Sequence, residues 1–174
     1  MTTAAQIRAD ARDDARRRVQ DEVLAAAAAQ AAELGWSAVR MGALADQVGI
    51  SRQTLHATFG TKESLGRAVV MRETERVLAA AMAALHSRPD DPVAAVAAAV
   101  SETLHGLADN ALLQAVLADP ADPLLPHLTS RSRPLIERAG GAVGQWAVVH
   151  CPATPPAQVM DVTDSLIRLT LSHA

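Results

Sequence analysis

The residues best suited to recognising another molecule lie between positions 40 and 62. Arg52, Gln53, Thr54 and His56 fall within five positions, directly behind Ser51. A Gln side chain can bond an adenine edge in bidentate fashion, and an Arg side chain can do so to guanine. Arg52 has a second use open to it, a phosphate. Lys62 is the only lysine in the chain and follows Thr61 where a helix can begin. Backbone N–H groups and the helix dipole already favour a phosphate at such a start. Arg40 stands at another helix start, where it can clamp the opposite phosphate strand, and Ser51 and Thr61 add hydroxyls. This is the chemistry of double-stranded DNA recognition. Its expected contacts are Arg40, Ser51, Arg52, Gln53, Thr54, His56, Thr61 and Lys62.

Little else in the chain suggests reactivity. The glycine-rich nucleotide-binding patterns and the Gly-x-Ser-x-Gly nucleophile motif are missing from the sequence. Glu102 and His105 have the Glu-x-x-His spacing of bundle metal sites, but those need a second copy and two further carboxylates. His105 therefore reads as a pocket or core residue. Cys151 stands alone, which excludes an internal disulfide and a cysteine-cluster zinc site, and nothing beside it would activate a nucleophile. No enzyme activity, metal or cofactor is expected.

The recognition residues need a scaffold, and residues 41–59 supply one. Two helices meeting steeply through a three-residue turn need a small residue at their contact, here Ala45. The turn needs a residue that takes positive φ, here Gly49. Leu44, Val48, Ile50 and Leu55 are its apolar anchors, and Leu55 and Phe59 point inward to hold the second helix. Such a helix-turn-helix places its second helix in the major groove. An ordinary helical hairpin is the plainer alternative.

On these residues the stretch 23–65 resembles the DNA-binding domain of tetracycline-repressor-type (TetR) transcriptional regulators. Gly35 and Trp36 close the first helix, and Leu44 with Ala45 lies in the second. Val48, Gly49, Ile50 and Ser51 form the turn, Thr54, Leu55 and Phe59 lie in the third helix, and 61–65 opens the fourth. The resemblance implies that Lys62 grips the DNA backbone and that the chain represses by blocking polymerase. Departures stand at Gln53, where the family often has Gly, at His56, where an aromatic is common, and at Thr58, Arg40 and Ala31. They imply an operator unlike those of better-matched relatives.

The wider chain supports a two-part helical protein. Of 174 residues, 38 are Ala and three are aromatic, which favours packed helices over sheet. Helices are predicted over 10–34, 40–48, 52–59, 61–86, 93–107, 111–118, 128–150 and 158–173. The stretch 119–126, with three prolines, reads as a loop, and 152–156 as a linker. The fold class is all-α: an N-terminal arm and three-helix helix-turn-helix domain over 1–62, then an antiparallel ligand-binding and dimerising bundle over 63–174. The first part carries eight basic against seven acidic residues and the second eight against twelve. This overall acidity argues against a non-specific architectural DNA binder. The run 16–18 of three Arg is either an arm along DNA or a solvated helix start paired with nearby acids, the second being preferred.

Between the bundle helices an apolar pocket is expected, lined by Leu104, His105, Leu113, Leu117, Trp146 and Met160, with Leu85, Leu107 and Val149 as further candidates. Leu166, Ile167, Leu169 and Leu171 crowd the last helix, which suits a homodimer interface. That pattern still runs where the chain stops, which suggests a final helix possessed by longer relatives. No apolar run is long enough to cross a bilayer, and the charged N-terminus is unlike a signal peptide, so the expected location is cytoplasmic, with no membrane partner. The function expected is a repressor that binds a palindromic operator as a dimer and is released by a small, mainly hydrophobic effector. The rival reading is a helical-bundle enzyme or small-molecule-binding protein with an incidental hairpin.

Overall fold

The computed structural model describes residues 3–129 and 133–172, and no strand occurs among them. The helix α1 spans Ala4–Leu34. It begins earlier than the sequence pattern suggests, because Thr3 caps it by accepting from the Gln6 N–H at 3.4 Å and Ala4 and Ala5 continue the turn. Gly35, at φ 77°, ends it, and a 3₁₀ turn follows over Trp36–Ala38. Three further helices follow: α2 (Met41–Val48), α3 (Arg52–Phe59) and α4 (Lys62–His86).

The chain divides into two compact units, one ending at Val69 and the other starting at Val70. The sequence boundary at 62/63 is thus moved by seven residues. The first turns of α4 belong to the N-terminal unit, where Leu65 and Val69 are fully buried. That unit also buries Val23, Ala27 and Ala31 of α1, Trp36, Val39, Leu44, Ala45 and Leu55. Gln30 interrupts the apolar stripe of α1 for a reason: its amide donates to Gln47 Oε1 on α2 at 2.6 Å.

The second unit contains the rest of α4, then α5 (Pro92–Ala108), α6 (Ala111–Ala118), α7 (Leu125–Leu128), α8 (Arg133–His150) and α9 (Pro156–Ser172). Asp91 and Asn110 cap α5 and α6 by accepting from the N–H groups of Ala94 and Leu113, each at 3.0 Å. Two expectations are corrected. The segment read as a loop carries the turn α7, and Leu128 ends that turn rather than starting the long helix. That helix instead has Pro134 in its first turn, the one place where a missing N–H is tolerated. Residues 130–132 and 173, which the predicted helices include, and the side chain of Leu171 lie outside what is described. Helices α8 and α9 pack along each other, and Gly144 makes room for this: a Cβ there would stand 2.7 Å from Met160 Sδ.

Glu73 is a buried carboxylate of this unit, as is Asp122. The Glu73 carboxylate accepts from Asn110 Nδ2 at 2.9 Å, Arg72 Nη1 at 3.1 Å and Arg76 Nη1 at 3.3 Å, tying α4 to the joint between α5 and α6. No helix among the described residues is long and apolar enough to cross a membrane.

Candidate nucleic-acid interface and apolar cavity

The turn between α2 and α3 is built from local chemistry. Gly49 sits at φ 75°, ψ 28°, the left-handed conformation that L side chains rarely adopt, and its N–H returns to the carbonyls of Ala45 and Asp46. The Ile50 N–H bonds the Ala45 carbonyl at 3.0 Å, which closes the turn. Ser51 then caps α3 by accepting from the Thr54 N–H at 3.0 Å, and its hydroxyl meets that of Thr54 at 2.8 Å. Leu55 is wholly buried and anchors α3, whereas Phe59 is only half-buried.

The cap Ser51 and Arg52, Gln53, Thr54 and His56 of α3 are all exposed. His56 Nδ1 donates to the Gly60 carbonyl at 2.8 Å, and a carbonyl can only accept. In the neutral ring Nε2 is therefore an acceptor. Thr61 caps α4 by accepting from the Ser64 N–H at 3.1 Å.

The two remaining cations converge on one peptide oxygen. Lys62 Nζ donates to the Ser37 carbonyl at 3.1 Å and lies 5.5 Å from the centroid of the Trp36 ring. Arg40 Nη1 donates to the same carbonyl and to that of Val39. Their charged ends lie side by side, which does not suit clamps on opposite strands. The sequence signal for this was the Gly35–Trp36 joint, whose turn exposes the Ser37 carbonyl to both.

The three Arg at 16–18 lie on an exposed stretch of continuous helix α1. Arg17 donates to Asp14 at 2.6 Å, and this hydrogen bond, with the charge of Asp14, raises the guanidinium pKa further above its usual value. The run is thus solvated and lies inside α1, which begins at Ala4.

In the second unit a cavity of about 240 Å³ lies among α4, α5, α6, α7, α8 and α9. Leu113 and Leu117 line it, as do Leu85 and Leu107. The other expected residues do not. His105 is exposed, its Nδ1 donating to the Ser101 carbonyl at 2.7 Å. Met160 is exposed on α9 against Gly144, Val149 is exposed on α8, and Leu104 is half-buried off the wall. Trp146 is buried one layer behind it, packed with Ala81, Leu85 and Ala99, which do line the cavity. Its ring stacks on His150 at 4.5 Å, and its Nε1–H is buried with no hydrogen-bond partner.

The sequence reading placed only Leu85 of α4 and Met160 of α9 at the cavity, and lacked the wall residues Thr74, Val77, Leu166, Ile167 and Thr170. The hydroxyls of Thr74, Thr103 and Thr170 donate to carbonyls four residues back on their own helices. The charged lining residues, Glu75 and Arg138, pair at 2.8 Å. The wall is thus apolar with no net charge. Arg168 stays exposed and bonds Asp164 at 2.7 Å, which raises its pKa.

Two family models match. Residues 23–69 fit the model described as bacterial regulatory proteins of the tetR family, and residues 91–174 the bacterial tetracycline repressor C-terminal domain. The chain belongs to the TetR family. Both parts of this TetR-family chain are covered, the helix-turn-helix unit and most of the second unit. A curated relative, the HTH-type transcriptional regulator AlkX of Mycobacterium tuberculosis, is 27% identical over 139 residues. That match spans 79% of this chain and 66% of the relative, just under two thirds of its length. The crystal structure of the TetR-family repressor AlkX from Dietzia, described as implicated in biodegradation of n-alkanes, superposes with a TM-score of 0.69 at 26% identity. It covers 88% of this chain and 81% of that one. A structure from Streptomyces coelicolor A3(2) shares the fold at 20% identity and a TM-score of 0.59, covering 88% of this chain and 86% of its own. TetR-family regulators bind DNA and usually act as dimers, and the matches point to a transcriptional regulator.

Proposed function

We propose that this TetR-family chain is a repressor that binds a palindromic operator as a homodimer and is released by a small, neutral, mainly apolar effector. The observation that carries this is the exposed polar row Ser51, Arg52, Gln53, Thr54 and His56 on a helix held by a buried Leu55 and a closed turn. Two such helices, related by a two-fold axis, read half-sites one helical turn apart. Gln53 reads an adenine edge, and His56 Nε2 accepts from an exocyclic amino group. Arg40 and Lys62, side by side at the Ser37 carbonyl, share one stretch of phosphate backbone. Val148 and Val149 of α8 and Val162 and Leu169 of α9 are exposed apolar side chains that a second copy would cover.

Selection from random duplexes tests the DNA half. The intact protein is expected to enrich a palindrome. Gln53→Ala is expected to cost roughly 1–3 kcal/mol at one adenine position per half-site and leave the rest intact. Lys62→Ala is expected to weaken every sequence alike and flatten the salt dependence by about one unit of slope per protomer. No enriched palindrome would overturn the reading, and an unchanged consensus for Gln53→Ala would remove Gln53 from base readout.

The cavity sets the effector's chemistry. A cavity of about 150 Å³ holds benzene, so about 240 Å³ suits roughly ten non-hydrogen atoms. With Arg138 already paired to Glu75, a strongly anionic ligand would lose hydration with little in return. The relative implicated in n-alkane biodegradation supports an apolar ligand class. An effector favours one conformation of the dimer, and DNA affinity falls by its differential binding energy. In a Trp36→Phe background, Trp146 is the sole tryptophan and sits one layer from the cavity. Ten-carbon hydrocarbons or alcohols are expected to change its fluorescence, raise the melting temperature and release operator DNA. A tight response to a multiply charged anion, with none from these compounds, would refute the neutral-effector reading.

A further inference from the structure

Arg52 is exposed at the start of α3, yet its side chain does not extend freely from that helix. Its guanidinium lies against α2 over Gly42, where a Cβ would stand 2.9 Å from Arg52 Cζ and Nε. Its Nη2 is 3.7 Å from a carboxylate oxygen of Asp46. Gly42 and Asp46 are four positions apart on α2 and share a face. Helix α2 thus offers a slot with no side chain on its floor and an anion at its end. Gln53, the next residue, is exposed and has no such tether among the described residues.

The first helix of a helix-turn-helix crosses the DNA backbone while the second enters the groove. A guanidinium laid along the first helix therefore faces phosphates. Bidentate pairing with guanine would require it to project ahead of α3 in the plane of the base. We infer that Arg52 is a phosphate contact positioned by Gly42 and Asp46, and that it reads no base, so that discrimination falls to Gln53 and the residues after it. This rests on the DNA-binding reading above. Asp46 draws the exposed guanidinium toward α2 until the array of backbone phosphates takes it over.

Selection and salt titrations with Arg52→Lys, Arg52→Ala and Gly42→Ala test this. Lysine keeps the charge but lacks the planar fork that guanine pairing needs. Arg52→Lys is expected to return the wild-type consensus with nearly unchanged affinity. Arg52→Ala is expected to weaken all sequences by one common factor, roughly three- to tenfold, and lower the salt slope by about 0.9 per protomer. Gly42→Ala is helix-compatible and leaves the charge in place, but its Cβ pushes the guanidinium out of the slot, so it is expected to weaken all sequences alike without altering the consensus. Loss of a guanine preference at one position in Arg52→Lys would overturn the inference and leave the DNA-binding reading standing. Unchanged binding by Gly42→Ala would remove the positioning role. A wild-type protein that enriches no sequence would overturn the underlying reading itself.

Discussion

Leu55→Ala is expected to lower the stability of the N-terminal unit by about 3 kcal/mol, within the range for truncating a fully buried leucine that leaves a cavity. Leu55 is the one fully buried residue of α3; Thr58 and Phe59 are partly buried and the helix's other side chains are exposed. An eight-residue helix is not stable alone in water, so its place depends on this anchor. Operator affinity is expected to fall with stability, on all sequences alike, because the whole recognition row moves with α3. Leu55→Met keeps the volume and should cost less than about 1.5 kcal/mol. Urea denaturation followed by Trp36 fluorescence measures both. A loss below about 1 kcal/mol for Leu55→Ala, with binding intact, would show that Ser51 and the turn alone hold the helix.

Glu73→Ala is the second large effect, in the other unit. It strips the acceptor from Asn110, Arg72 and Arg76 at once. Arg76 is 68% exposed and recovers water, but Arg72 is 25% exposed and Asn110 half-buried. The loss is expected near 3 kcal/mol, the lower end for breaking a buried charge pair. Glu73→Gln keeps an acceptor for Asn110 and is expected to lose about half as much. Asn110 also caps α6 through Leu113, and Leu113 lines the cavity. The alanine variant should therefore also show a smaller thermal shift with an apolar ligand. Denaturation followed by Trp146 fluorescence gives the stability, and a change under about 1 kcal/mol would show that the buried carboxylate does not hold α4 to the α5–α6 joint.

What was readable in advance follows the range of the interactions. Ser51, Thr61, Asp91 and Asn110 act on backbone N–H groups three residues away, and Gly35, Gly49 and Gly60 all take positive φ where a helix ends. Boundaries made by such groups appeared where the pattern placed them. The cavity was harder. Helix α5 is nearly all Ala and Val across its first half, so it has no polar face to show which side meets α4 and which meets solvent. Helical spacing places His105 inward, yet its ring bonds its own helix and faces water. Trp146, at the same kind of spacing, is core behind the wall rather than wall.

The sequence by itself determined the all-helical class, the helix-turn-helix, its turn residue, the buried anchor Leu55 and the exposed polar row that follows Ser51. The class follows from composition along the whole chain, and the turn, cap and polar row depend on residues within about five positions of one another, where backbone geometry leaves few alternatives. Only the tertiary structure decided that Arg40 and Lys62 meet at the Ser37 carbonyl, that Arg52 lies along α2, which residues of α4 and α9 wall the cavity and that Arg138 there is cancelled by Glu75. Those depend on how whole helices pack. A cavity in particular is the space that packing leaves unfilled, and no single segment encodes it.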